Sequence, residues 1–277
     1  MVNIVKYEDI VSGKNIVMAE KIKGLVIRTQ NINENDKYLT VLCEKYGKIG
    51  FKAAGVRSLK SKNLASAQLF TYSEFTITRT AQFTRMSEAQ VIENFYDLRL
   101  DVTSLALAAY FSEIAGIICV GESDEDGILR LLLNSLYLLS VKKFPRRVIK
   151  AVFELRVLAK SGFMPSLMTC EVCSRETFDD TNAEVIFFDV LGGGLVCSDC
   201  MGKLKDYAQL RRVSRDVLNM MRFVTVASDE KLFSFALDET IEDELANICE
   251  KYLLAQIGMN MYTDVLKQYK NYEKSMK

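Results

Sequence analysis

Histidine is absent from this 277-residue sequence, and so is tryptophan. Without histidine the commonest general base is missing, and with it every Ser-His-Asp or Cys-His arrangement and every histidine-containing zinc site. Net charge is lacking too: 36 Lys and Arg balance 36 Asp and Glu, so the whole molecule offers no steering towards nucleic acid. No apolar run is long enough to span a bilayer, which takes about 20 residues. The most apolar stretches, 102–112 and 131–141, meet a charge too soon. Residues 1–17 do not read as a signal peptide, because Lys6, Glu8, Asp9 and Lys14 are scattered through them. These absences leave a soluble, cytoplasmic protein as the expectation. Met18 looks like a natural beginning just before a strand, which makes 1–17 an extension with no assigned role.

Seven cysteines are present, and four form two Cys-x-x-Cys pairs, Cys170 with Cys173 and Cys197 with Cys200, separated by 23 residues. That is the spacing of an all-cysteine tetrahedral zinc site, in which each pair curls so that both thiolates reach one ion. Gly192, Gly193 and Gly194 just before the second pair suit a tight turn. The competing readings are paired disulfides or buried spare thiols. Disulfides fit poorly, since nothing marks the chain as secreted and Cys43, Cys119 and Cys249 stand alone in apolar surroundings. Four thiolates close the coordination shell, so the expected cofactor is one structural Zn2+.

Charge is distributed unevenly. Residues 18–100 hold thirteen Lys and Arg against eight Asp and Glu, net +5, whereas everything after Leu100 is net −5. In that basic third, 23–28, 38–43, 49–53, 70–80 and 83–91 read as short strands separated by turn residues. Five strands in so short a span suggest a five-stranded OB-type barrel, with an SH3-like barrel also open. The stretch 54–63 is basic and contains no acid. Arg57, Lys60 and Lys62 in it, with Lys23, Arg28, Lys48 and Lys52 on the strands, form a candidate phosphate-binding set; Tyr38, Phe51, Phe70 and Tyr72 are candidate stacking faces. The alternative is that the cations solubilise the surface and the aromatics fill the barrel.

From Asp101 the apolar period becomes helical. Helices are expected over 102–120, 128–141 and 147–161, with Gly162 closing the third and one apolar stripe along it. Lys142, Lys143, Phe144, Pro145, Arg146 and Arg147 join the last two, reading either as a charged loop or as a basic rim around an exposed aromatic for an acidic tail. The zinc segment, 163–205, includes a strand at 185–189. Helices at 207–226 and 241–269 follow. The expected division is therefore 1–17 extension, 18–98 OB-fold, 99–162 helical domain, 163–205 zinc ribbon and 206–277 helices packing on the helical domain, an α+β multidomain protein.

The order of several fragments resembles the bacterial RecO family of recombination mediators. These are Gly24-Leu25-Val26-Ile27-Arg28, Asn35-Asp36-Lys37 with Tyr46-Gly47-Lys48, the loop from Gly55 to Lys62 leading to Leu69-Phe70, and Phe153-Glu154-Leu155-Arg156 through Pro165 into Cys170 and Cys173. The resemblance runs from Ala19 to about Tyr262. It implies an N-terminal OB-fold, a zinc ribbon inserted between helices, binding of single- and double-stranded DNA, and strand annealing. It further implies a part in exchanging single-strand-binding protein for RecA, work with RecR, and a cytoplasmic, nucleoid-associated location without enzymatic turnover. Two other classes compete: a zinc-ribbon adaptor that binds proteins through its acidic helical region, and a metal-dependent nuclease using Asp124 and Asp126.

Overall fold

The computed structural model describes residues 18–80, 82–119, 127–176, 185–203 and 208–258, together with 267, 270 and 271. The 1–17 extension, Asp124 and Asp126, and the end of the last expected helix lie outside the described residues. The chain divides into two compact units, Met1–Tyr96 with Ser112–Glu125 and Asp97–Phe111 with Asp126–Lys277.

In the first unit, β1 (Met18–Asn31), β2 (Lys37–Cys43), β3 (Gly47–Ala53), β4 (Tyr72–Arg79) and β5 (Thr84–Glu93) close on one another in the order β1-β2-β3-β5-β4. Neighbours run antiparallel except β3 and β5, the OB-type arrangement. Alternation places side chains: on β4, Ser73, Phe75 and Ile77 turn inward while Glu74 and Thr76 turn out. Inside, Phe51 meets Phe75 edge-on at 5.4 Å, among Val26, Leu39, Val41 and Ile77. Each such side chain stabilises by about 1.5–3 kcal/mol. The first strand is longer than its β-branched run because it serves two partners, β4 along Met18–Leu25 and β2 along Gly24–Asn31, with a register shift at Val26/Arg28. Residues 54–71 drop Val56 and Ala67 into the same core.

The second unit is built on helices. Asp101 caps α1 (Val102–Ile118), its Oδ1 accepting from the amides of Thr103 and Ser104 at 3.0 and 3.1 Å. Residues of α1 up to Phe111 belong to this unit and those from Ser112 onward to the first. Two more follow, α2 (Ile128–Val141) and α3 (Arg146–Lys160). The third ends at Gly162 by a Schellman closure, Phe163 N–H donating to the Leu158 carbonyl at 2.9 Å.

Burial along α3 exceeds the single apolar stripe expected: every residue from Val148 to Leu158 is buried, Lys150, Glu154 and Arg156 included. The reason is tertiary, since helices pack on several sides. Phe111 stacks on Phe153 at 4.2 Å. Each of the three buried polar side chains finds partners, although Glu154 Oε2 and Arg156 Nε have none among the described residues. Lys150 pairs with Glu154 at 2.7 Å and Glu250 at 2.9 Å, and the Tyr110 hydroxyl donates to Glu154.

The ribbon sheet has the order β6-β8-β7-β9, from β6 (Ser166–Cys170), β7 (Ile186–Asp189), β8 (Gly194–Cys197) and β9 (Leu210–Val213), with a short α4 (Ser198–Met201) after β8. Here the structure corrects the sequence reading: 207–226 is not one helix. Leu210–Val213 pairs with the open edge of β7, and α5 (Arg215–Val226) begins only after Ser214, whose hydroxyl accepts from the Val217 amide. Arg156 closes α5 from outside, donating to the carbonyls of Val224, Thr225 and Ala227. Last comes α6 (Glu239–Ile257), which carries Glu250.

Candidate metal centre and nucleic-acid interface

The four cysteines converge. Cys170 ends β6, Cys173 follows in the next turn, Cys197 ends β8 and Cys200 lies on α4, and their sulfurs all lie within 4.8 Å of one another. Cys173 Sγ and Cys197 Sγ are 3.8 Å apart, too far for a disulfide. That separation is the edge of a tetrahedron with metal–sulfur bonds of about 2.3 Å. The backbone makes this geometry. Ser174 takes a positive φ of 57° so that its amide returns to the Cys170 carbonyl at 2.8 Å, curling the first pair. Before the second pair, Gly193 has φ +74°, and a Cβ there would sit 2.7 Å from the Tyr252 hydroxyl, so both conformation and space demand glycine at that one of the three.

Electrostatics favours a cation among these sulfurs. Burial pushes the Cys170 thiol up, but amide donors from Cys197, Cys173 and Val172 outweigh it and bring it down to about 6. Burial and the neighbouring sulfurs push Cys197 up to about 12. Thiolates this close cannot all ionise together unless a positive ion compensates them. The residues therefore fit a four-thiolate metal centre, with Cys170, Cys197 and Cys200 buried and Cys173 on the open side.

On the barrel, the structure sorts the seven candidate cations. Arg57, Lys60 and Lys62 are exposed on the loop after β3. That loop is fastened at both ends. The Arg57 amide donates to the Asn35 carbonyl and its guanidinium to the Asn33 carbonyl, in the β1–β2 turn. Asn63 bonds Ser87 and Ala89 on β5. Arg28 is exposed on β1, opposite Thr40, with no ion pair among the described residues. Two others are partly spoken for: Lys52 pairs with Asp36 at 2.6 Å and Lys48 donates to the Gly116 carbonyl in the last turns of α1. Lys23 is exposed opposite Glu74, whose ion pair is with Lys21. Of the four candidate aromatics only Tyr38 presents itself, at 43% exposure; Phe51 and Phe70 are buried and Tyr72 is half-buried.

Two family models match the chain, Recombination protein O N terminal over residues 18–95 and Recombination protein O C terminal over 99–263. The chain belongs to the recombination protein O (RecO) family. Similar proteins named DNA repair protein RecO include that of Acetivibrio thermocellus, 31% identical over 241 residues covering 87% of this chain and 92% of the relative. That of Caldicellulosiruptor bescii is 32% identical, covering 84% and 91%. RecO membership supports a role in DNA repair and recombination. No helix among the described residues is long and apolar enough to cross a membrane.

The join 142–147 includes a charged loop, 142–145, as one of its two readings had it, but its aromatic is less exposed than the sequence suggested. Phe144 is half-buried, 5.8 Å from the Phe233 ring, and it lines a cavity of about 280 Å³ with Pro145, Val148, Phe235 and Leu237. Three of the four cations are neutralised. Lys142 and Arg146 pair with Asp101, and Arg147 pairs with Glu239, Glu242 and Asp243. Lys143 lines the cavity as well and has no ion pair among the described residues, and Glu242, held by Arg147, is also in the lining. The partners lie 41 to 96 positions away, so nothing near the loop in sequence foretold them. The sequence reading also passed over Phe83 and Arg85, whose guanidinium lies 4.2 Å from the Phe83 ring centroid.

Proposed function

We propose that this RecO family member is a recombination mediator without enzymatic turnover that binds single- and double-stranded DNA through its barrel unit, taken as 18–98, and anneals complementary strands. In the same reading it helps RecA displace single-strand-binding protein, acts with RecR, and works in the cytoplasm on the nucleoid. The observation that carries this is the acid-free loop holding Arg57, Lys60 and Lys62 exposed while both its ends are tied to the barrel. Annealing brings two polyanions side by side, so cations held on a firm support lower their repulsion while the bases stay free to pair. No bond is made or broken.

With Arg28, Arg57, Lys60 and Lys62 on phosphates, log affinity is expected to fall with log salt at a slope of about −3 for single strands and about −4 for duplex. Replacing Arg57, Lys60 and Lys62 by Ala should flatten the single-strand slope by about 2 and slow annealing at least about tenfold. Fluorescence annealing of complementary oligonucleotides across a salt series reads both. A triple variant with unchanged affinity and slope would remove the loop from the DNA site.

Zn2+ is the metal we assign to the four cysteines of the 163–205 ribbon, because borderline-soft ions prefer four thiolates in a tetrahedron. Bound there, it supplies structural cross-linking. The acidic tail of single-strand-binding protein is assigned to the cavity at Phe144, with Lys143 as the cation in its lining and the ion-paired Lys142, Arg146 and Arg147 in the same join. Changing Lys143 to Glu should weaken binding of a tail peptide several-fold in anisotropy titrations. Unchanged binding would place the tail elsewhere.

A further inference from the structure

A row of side chains on the outer face of β2, β3 and β5 is arranged for a different kind of contact. Tyr38 points outward between the buried barrel residue Leu39 and the turn before β2. Its ring does not stand away from the sheet. A Cβ built on Gly50 of β3 would lie 2.5 Å from the Tyr38 hydroxyl oxygen, 2.8 Å from Cε1 and 2.9 Å from Cζ. The hydroxyl and outer edge of the ring therefore lie against the Gly50 backbone, in the space that a side chain there would fill, while the residue as a whole stays 43% exposed. Gly50 has no left-handed φ, so the glycine is needed for space alone.

Along the ladder Tyr38 stands opposite Lys52, and Lys52 opposite Arg85 on β5. The Arg85 guanidinium is laid over Phe83, which is 44% exposed in the β4–β5 turn. Beside this row, Arg28 faces Thr40, and Thr40 faces Gly50. Three strands thus present an exposed aromatic held against the sheet, a cation already engaged by Asp36, and a planar guanidinium on an aromatic. With the central charge taken, the row offers two aromatic surfaces and the Arg85 guanidinium. Unstacked bases are the ligands that planar aromatic and guanidinium faces suit, whereas the bases of a duplex are already stacked on each other.

We infer that Tyr38 and the Phe83–Arg85 stack form a platform for the bases of single-stranded nucleic acid, and that Gly50 is a positioning residue that leaves room for the Tyr38 ring to come down on the strand. This rests on the reading that the barrel binds DNA. It adds a division of labour: the 54–62 loop holds phosphates, and this row distinguishes single strands from duplex.

The test compares full-length, metal-loaded wild type with Tyr38→Ala, Phe83→Ala, Tyr38→Phe, Gly50→Ala and the Tyr38→Ala/Gly50→Ala pair. Each is titrated by anisotropy against an oligo-dT strand and a duplex of equal length at several salt concentrations, with thermal unfolding as the check on folding. Tyr38→Ala and Phe83→Ala should each weaken single-strand binding about tenfold, leave duplex binding within about twofold, and keep the salt slope, because no phosphate contact is lost. Tyr38→Phe should retain wild-type affinity. Gly50→Ala should weaken single-strand binding several-fold, with no further loss when added to Tyr38→Ala, an outcome that general loosening of the barrel would not produce.

Equal losses on single strand and duplex, or a flattened salt slope, would overturn the platform. So would unchanged single-strand affinity in folded Tyr38→Ala and Phe83→Ala proteins, the result expected of a face that docks a protein. In each of those cases salt-sensitive binding by wild type would leave the barrel reading standing. No binding by wild type to either DNA at low salt would overturn the reading and the platform together.

Discussion

Replacing Cys197 by Ser should release the metal and melt the ribbon while leaving the barrel unit folded. Structural zinc in small folds contributes on the order of 10 kcal/mol of apparent folding free energy. A segment the size of this ribbon would by itself account for only a few kcal/mol at typical stabilities per residue. Its own apolar cluster is small: Val196 and the buried cysteines, with Phe187 and Leu210 leaning on them. The four strands are only four or five residues long, and their other buried side chains, Leu167, Ile186, Phe188, Leu195 and Val213, lie outside that cluster. Wild type should carry one metal per chain and Cys197→Ser none. Limited proteolysis should then cut the variant quickly between Leu167 and Met201 and spare the barrel. Equal protease resistance in metal-free variant and metal-loaded wild type would show that helix packing, such as Phe188 against Tyr252 at 5.2 Å, suffices without the metal.

The second large effect concerns the buried charges on α3. Lys150 is the only cation bonded to both Glu154 and Glu250 among the described residues. Burial opposes its charge, but the two carboxylates outweigh burial and raise its pKa. Burial raises the Glu154 carboxyl despite Lys150, because the site is fully enclosed and Glu250 adds a like charge. Partial burial pushes the half-buried Glu250 up as well, but Lys150 and Lys270 together hold it low. Lys150→Met would leave Glu154 without its cation, at a cost of about 3–5 kcal/mol.

The sign with pH follows from Glu154. A carboxyl raised in the folded state contributes stability present below its unfolded value, and that contribution is lost as pH rises towards the folded value. Removing Lys150 raises Glu154 further, so the deficit of Lys150→Met should grow between pH 5 and pH 8. Adding Glu154→Gln should recover part of the loss and remove the added pH dependence. Urea denaturation midpoints at both pH values measure this. A double variant no more stable than Lys150→Met at pH 8 would show that packing, not charge, is what Lys150 supplies.

The limits of sequence reading here have a physical pattern. Features set by residues close in the chain were legible: the Cys-x-x-Cys pairs, the turns between strands, α2 at Ile128–Val141, and the acid-free basic loop. Misreadings arose where a distant partner decided. Leu210–Val213 carries no strong local preference and became a strand because β7 offered an open edge. Phe144 looked exposed until Phe233 covered it, and the cations around it looked free until Asp101 and the acids of α6 reached them.

By itself the sequence determined the RecO family pattern, the order of the five barrel strands and the three helices after them, and the four sulfurs able to share an ion, since these depend on residue types at short spacing. Only the tertiary structure decided which charges are spent on the protein's own contacts and which face outward. Lys48, Lys52 and Arg147 are cations like Lys60 and Lys62 in any composition count. What separates them is an oxygen brought within reach by strand register and helix packing, which no local pattern encodes.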